Sequence, residues 1–279
     1  MNILIEGGNL NFIAEGTRNI AISYAQKLKE QGHNVVILTK QIDRVKRKKY
    51  RKFEIVDGIK FYRWNNYFDR FYKYLEGGKA NKTRRLIYNF LGLTNYFEFY
   101  LTYRKILRKE KIDITQIFLK GLRPKLHYLA LKLFNKSPLI LSLLGDPSFN
   151  YVKYNPKKMF RGVDLILISS KTIYNHIKSL GVKNIKFLPY GVNTKKFKPS
   201  KRKGKKKIFF SRYYDHFPEI LEAIKKITKE KNVELIFHEQ AKEEVQKAKL
   251  KNVREFILKN FNLDKSILEY EEIYRKMKK

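Results

Sequence analysis

Residues 164–199 read DLILISSKTIYNHIKSLGVKNIKFLPYGVNTKKFKP, and their order decides the fold class. Leu165 to Ile168 is a short apolar run of the kind that forms a buried strand. Ser169-Ser170 follows it, and a serine there can cap a helix by accepting from a free backbone N–H. Ile173, Ile177 and Leu180 recur at core spacing, and Gly181 stops the helix. A second strand, Ile185 to Leu188, ends at Pro189, and Gly191 lets the chain turn. The stretch is one βαβ unit followed by an exit loop.

The first forty residues repeat this logic. Asn2 to Glu6 is a buried strand, and Gly7 to Glu15 a loop. A helix from Gly16 to Gln31 carries Ile20, Tyr24, Ala25 and Leu28 on one face, Gly32 closes it, and Val35 to Thr39 is the next strand. Phe53 to Trp64 is expected as a hairpin around Asp57-Gly58, a dipeptide that tolerates the positive φ of a tight turn. The aromatic, basic stretch Tyr67 to Glu110 is expected to hold two helices. Ile114 to Phe118 and Pro138 to Leu144 are strands, with a helix from Gly121 to Phe134 between them. Alternating strands and helices imply a parallel, doubly wound α/β sheet, whose ligands bind at the carboxyl ends of the strands. That gathers Gly7, Gly8, Gly16, Gly145 and Asp146 near one crevice.

Composition sets further bounds. The 279 residues suffice for two modest domains, and 43% hydrophobic content for a core. There is no Cys, which excludes disulfides and thiolate metal sites, and the 5 His show no ligand spacing, so no metal site is expected. MNILIEGG lacks the basic head and cleavage site of a signal peptide, and no apolar run approaches a bilayer span. The cytoplasm, with peripheral placement on the inner membrane face, is the expected location. The net charge of +36, from 62 Lys+Arg against 26 Asp+Glu, favours polyanionic partners or reflects the codon bias of an AT-rich genome. Basic residues spread along the chain, with no recognisable module, argue against nucleic acid.

Lys201 to Lys207 (KRKGKKK) is expected as a linker between a first domain, residues 1–200, and a short second domain, residues 201–279. The second domain would open with strand Ile208 to Phe210, helix Glu219 to Lys229 and strand Val233 to Phe237. It would close with an amphipathic, Asp-capped helix within Asn260 to Met277.

Three segments together resemble the GT-B glycosyltransferases of family 4. The crossover P-x-G-V-[DN]-x-x-x-F-x-P spans Pro189 to Pro199, the opening helix runs from Gly16 into Gly32-His33-x-Val35, and the closing helix carries Tyr270 and Tyr274. The resemblance implies a GT-B-like architecture, with a complete N-terminal Rossmann-like domain on the acceptor side and a shortened second Rossmann-like domain on the donor side. It further implies transfer of a hexose from a nucleotide sugar to a glycan or lipid-linked acceptor, retaining and metal-independent, with no bound cofactor. Where the family opens its second domain with G-R-x-x-x-x-K-G, this chain has Ser211-Arg212 and lacks the second clamp residue. By the resemblance Arg212 is the donor-phosphate residue, and Glu239, after the second strand, is open between standing in for a lost polar contact and lying in a solvated loop. The family's pair of Glu seven residues apart has no counterpart beside a glycine turn. Gly7, Gly8 and Gly16 would shape the acceptor loop, and Asp146 is open between orienting an acceptor hydroxyl and turning the chain before Pro147. His33 reads as structural. The basic runs Lys46 to Lys52 and Lys79 to Arg85 could meet anionic head groups or be solvated faces. Two rival readings stand beside the enzyme: a catalytically inactive homologue serving as an interaction subunit, and a basic nucleic-acid binder.

Overall fold

The computed structural model describes residues 1–7, 16–43, 48–65, 82–119, 131–143, 160–191, 193, 207–210, 234–237 and 258–278. Its contacts divide the chain into two units, Met1–Gly191 with Leu263–Lys279, and Val192–Asn262.

The first unit opens with β1 (Asn2–Glu6), α1 (Gly16–Glu30) and β2 (Asn34–Lys40). Ala21, Tyr24, Ala25 and Leu28 are fully buried, as their helical spacing requires, and Gly32 takes a φ of 84° to end the turn. A two-stranded ribbon of β3 (Ile42–Asp43) and β4 (Lys48–Lys49) precedes the hairpin of β5 (Phe53–Val56) and β6 (Ile59–Trp64). At the tip of that hairpin Asp57 and Gly58 have φ of 50° and 69°, the tight turn expected of this dipeptide. The described part of the aromatic stretch is one 29-residue helix, α2 (Lys82–Glu110), and residues 66–81 lie outside the description. Strands β7 (Ile114–Leu119), β8 (Leu139–Leu143) and β9 (Leu165–Ile168) follow, with a helical turn at 131–134. Then come α3 (Lys171–Ser179), capped by the Ser170 hydroxyl accepting from Ile173 N–H, and β10 (Ile185–Phe187). Of the three residues expected on the core face of α3, Ile177 is buried, while Ile173 and Leu180 are half-buried.

Eight of these strands form one sheet, in the order β10-β9-β8-β7-β1-β2-β6-β5. All its pairings are parallel except the β5–β6 hairpin at the edge. Successive side chains of β1 point to opposite faces, so Ile3 and Ile5 pack under α1 while Leu4 packs with Phe99, Tyr103 and Ile106 of α2. Helices on both faces explain why the strands read as unbroken apolar runs.

The last helix, α4 (Leu263–Lys278), completes the first unit. The sequence reading groups it with residues 201–279; in the structure its apolar face packs beside α1. Leu263, Ile267, Tyr270, Ile273 and Tyr274 are buried there, each contributing about 1.5–3 kcal/mol. A 16-residue helix is marginal alone, so docking is what holds it. Asp264 lies inside the first turn rather than before it, where it pairs with Lys27 of α1 at 3.2 Å. Gly191, where the chain turns away, does not take a positive φ. A Cβ there would lie 2.7 Å from Leu263 N, 2.9 Å from Ser266 Oγ and nearer still to Leu263 Cα. Gly191 is required by the close approach of α4.

In the second unit the described strands are β11 (Lys207–Phe210) and β12 (Glu234–Phe237), which pair in parallel from Lys207 opposite Glu234 to Phe210 opposite Phe237. The expected helix Glu219 to Lys229 lies outside the described residues.

Candidate functional site at the strand carboxyl ends

β1 sits at the centre of the sheet. The chain leaves it for β2 on one side and later returns to β7 on the other. Such a reversal marks the place, above the carboxyl ends of β1 and β7, where parallel α/β sheets bind ligands in a crevice. Gly7 occupies that point directly after β1 and is buried. Glu6 beside it is 1% exposed, on the same face as Leu4 and Ile117. Sequence reasoning passed over Glu6. The signal for it was a carboxylate closing the apolar run NILI just before two glycines.

Among the described residues, phenols, a serine hydroxyl and backbone groups tie the exit of β10 to its neighbours. Tyr190 donates to Leu143 O at 2.7 Å, tying the exit of β10 to the end of β8. Gly191 N–H donates to the Tyr24 hydroxyl at 3.1 Å, tying that exit to α1. Ser266 Oγ donates to Pro189 O at 3.4 Å. Burial pushes the Tyr24 and Tyr190 phenols up from their ordinary value, so both stay neutral hydrogen-bonding groups near neutral pH.

Beneath lies a buried network that the sequence did not disclose. Tyr274 donates to Gln116 Oε1, Gln116 Nε2 donates to Ser142 Oγ at 2.8 Å, and that hydroxyl meets Tyr270 OH at 3.3 Å. Tyr24 stands edge-on to Tyr270 at 4.8 Å between ring centres. Burial drives the Tyr270 and Tyr274 phenols well above their ordinary range. The two tyrosines of the closing helix thus bolt α4 to the middle of the sheet, directly under the exit from β10. His33 belongs to the same clasp. Its Nε2 lies 2.6 Å from Glu271 Oε1, in keeping with a structural role. A depression of about 310 Å³ lined by Met1, His33, Arg275 and Lys278 lies at the opposite, amino end of β1, away from the crevice.

Of the other residues singled out from sequence, Gly16 is the first residue of α1. Gly8 and Asp146 lie outside the described residues, as do Arg212 and Glu239. The last two each stand two positions beyond β11 and β12, whose ends, Phe210 and Phe237, are in register. No group of three or more His, Cys, Asp or Glu suited to a metal occurs among the described residues.

No protein-family model matches the chain, and no curated protein is similar to it in sequence. Solved structures are similar in fold. Sucrose-phosphate synthase from Thermosynechococcus elongatus superposes with a TM-score of 0.50 at 9% identity, covering 86% of this chain and 71% of that one. The fold is GT-B-like. Two further structures are similar at lower scores. Trehalose-6-phosphate from E. coli bound with UDP-2-fluoro glucose has a TM-score of 0.48 at 9% identity, covering 88% and 74%. The catalytic domain of starch synthase IV from Arabidopsis thaliana, bound to ADP and acarbose, has 0.45 at 10% identity, covering 88% and 75%. At these values the two add nothing to the fold assignment.

Proposed function

We propose that this chain is a glycosyltransferase that moves a hexose from a nucleotide sugar to a glycan or lipid-linked acceptor. The observation that carries this reading is the GT-B-like fold, with its topological switch point above β1 and β7 and α4 returned to the first unit. In this reading the first unit holds the acceptor. Gly7, Gly8 and Gly16 shape its loop, and Glu6 or Asp146 orients the attacking hydroxyl. The second unit holds the donor. Arg212 offsets the charge that grows on the leaving diphosphate, and Glu239 supplies a polar contact. The resemblance to family 4 further suggests retention of configuration without a metal ion.

A second reading is favoured by one observation. Ser211-Arg212 lacks the second cation and the glycines of the family's phosphate clamp, each such donor being worth roughly 10²–10³ in rate. On that reading the chain is an inactive homologue that binds a glycan, a lipid or a partner subunit.

Thermal unfolding with a panel of nucleotide sugars and nucleoside diphosphates separates the two. A ligand at 100 times its Kd adds about 2.7 kcal/mol. A selective rise with one nucleotide sugar, lost in Arg212→Ala, is the expected result. A cooperative transition that no nucleotide moves would overturn the enzyme reading.

A further inference from the structure

We propose that the outward face of α2 seats the protein on an anionic lipid surface. This interaction goes beyond glycosyl transfer and rests on different residues. Phe99, Tyr103 and Ile106 fix the inward face of α2 against the sheet. Phe97 stands two residues from Phe99, about 200° around the helix, and is 65% exposed. Leu101 lies one turn further along the same outward line and is 48% exposed. Leu133, at 79%, and Phe134 extend the apolar area, for Tyr100 meets Phe134 at 5.7 Å. A soluble face of a helix normally carries polar residues at these positions, so a stripe of this kind marks an interaction site.

The charge of α2 selects the occupant. The outward line continues from Phe97 and Leu101 into Arg104 and Arg108, both exposed. Exposed cations therefore follow the apolar stretch toward the carboxyl end of the helix. Across Lys82–Glu110 there are seven Lys or Arg and two Glu, and Glu110 is already engaged by Lys60 and Tyr62. A second copy docked in parallel on this face would set Arg104 and Arg108 against their own counterparts. An anionic bilayer complements both features: its acyl boundary takes the apolar stripe and its head groups the cations. No helix among the described residues is long and apolar enough to cross a membrane, so α2 would lie on the surface.

Co-sedimentation of the full chain with lipid vesicles tests the proposal. The expected result is binding to phosphatidylcholine vesicles containing about 30% phosphatidylglycerol, and little binding to phosphatidylcholine alone. The Phe97→Ser/Leu101→Ser variant should bind about tenfold more weakly at an unchanged melting temperature. Arg104→Gln/Arg108→Gln should weaken binding by about tenfold and flatten its salt dependence. Leu268→Ser, on the exposed side of α4 across the sheet, should change nothing. Equal binding by wild type and Phe97→Ser/Leu101→Ser would overturn the proposal, because the overall charge would then suffice. So would absence of binding, lipid-free dimers abolished by that variant, or RNA binding that depends on the same residues and outcompetes vesicles.

Discussion

Gly191→Ala should loosen α4 from the first unit. The added methyl carbon would sit 2.7 Å from Leu263 N and 2.9 Å from Ser266 Oγ, against ordinary heavy-atom contacts of about 3.5–4.0 Å. The obstruction includes backbone, Leu263 N and Cα, which cannot rotate aside, so the first turn of α4 must move by about an ångström. Overpacking of this kind costs about 1–3 kcal/mol. The shift also strains the Gly191 N–H to Tyr24 hydroxyl bond, worth about 0.5–1.5 kcal/mol. A total of about 2–4 kcal/mol lowers the melting temperature by roughly 5–15 °C for a unit of this size. Differential scanning calorimetry reads the shift, and hydrogen exchange of α4 amides locates it. Leu263→Ala should not rescue the variant, because the contact lies with main-chain atoms. Gly32→Ala provides the contrast. Nothing stands within 4 Å of its Cβ, and only its φ of 84° opposes a side chain, at about 1–2 kcal/mol. A Gly191→Ala protein that melts within 2 °C of wild type (roughly 1 kcal/mol), or below which Gly32→Ala falls, would refute the close-approach account.

Three other outcomes are expected. Tyr274→Phe leaves Gln116 Oε1 buried without its donor and should cost about 1–3 kcal/mol in urea unfolding, whereas Gln116→Leu/Tyr274→Phe should cost less than the sum of the single changes. Burial pushes the Glu110 carboxyl up, but Lys60 at 2.6 Å and Tyr62 at 2.7 Å outweigh it and hold it below its ordinary 4.5. Its contribution is therefore complete above about pH 4.5 and is lost as pH falls through the lowered value, so Glu110→Gln should flatten the acid limb of the stability curve. A limb of unchanged slope would remove Glu110 from the account. In turnover assays with a donor identified by thermal shift, Glu6→Gln should lower kcat by 10-fold or more, while donor binding stays intact; unchanged turnover would leave Glu6 a structural residue.

Much of the first unit was legible because its signals are local. A strand buried on both faces is an unbroken apolar run, so NILIE, NVVILTK and LILI announce themselves. Asp57-Gly58 specifies its turn and Ser170 its cap through backbone preferences that need no distant partner. Of the stretch Tyr67 to Glu110, expected to hold two helices, the described residues show the 29-residue α2, held on the sheet by Phe99, Tyr103 and Ile106, and residues 66–81 lie outside the described residues. The switch point above β1 and β7 could be placed from strand order, but the burial of Glu6 beside it could not.

The sequence by itself determined the alternation of strand and helix and the parallel sheet, since each follows from periodicity and turn chemistry within a few residues, while the GT-B-like class was implied by the resemblance of three segments to a known family. Only the tertiary structure decided that α4 belongs with the first unit, why residue 191 is glycine, and that Gln116, Ser142, Tyr270 and Tyr274 form one buried network. Those facts join residues such as Tyr24 and Gly191, 167 positions apart, through contacts that exist only once the chain has closed on itself. Periodicity reports that a side chain will be buried, and the folded chain alone selects its partner.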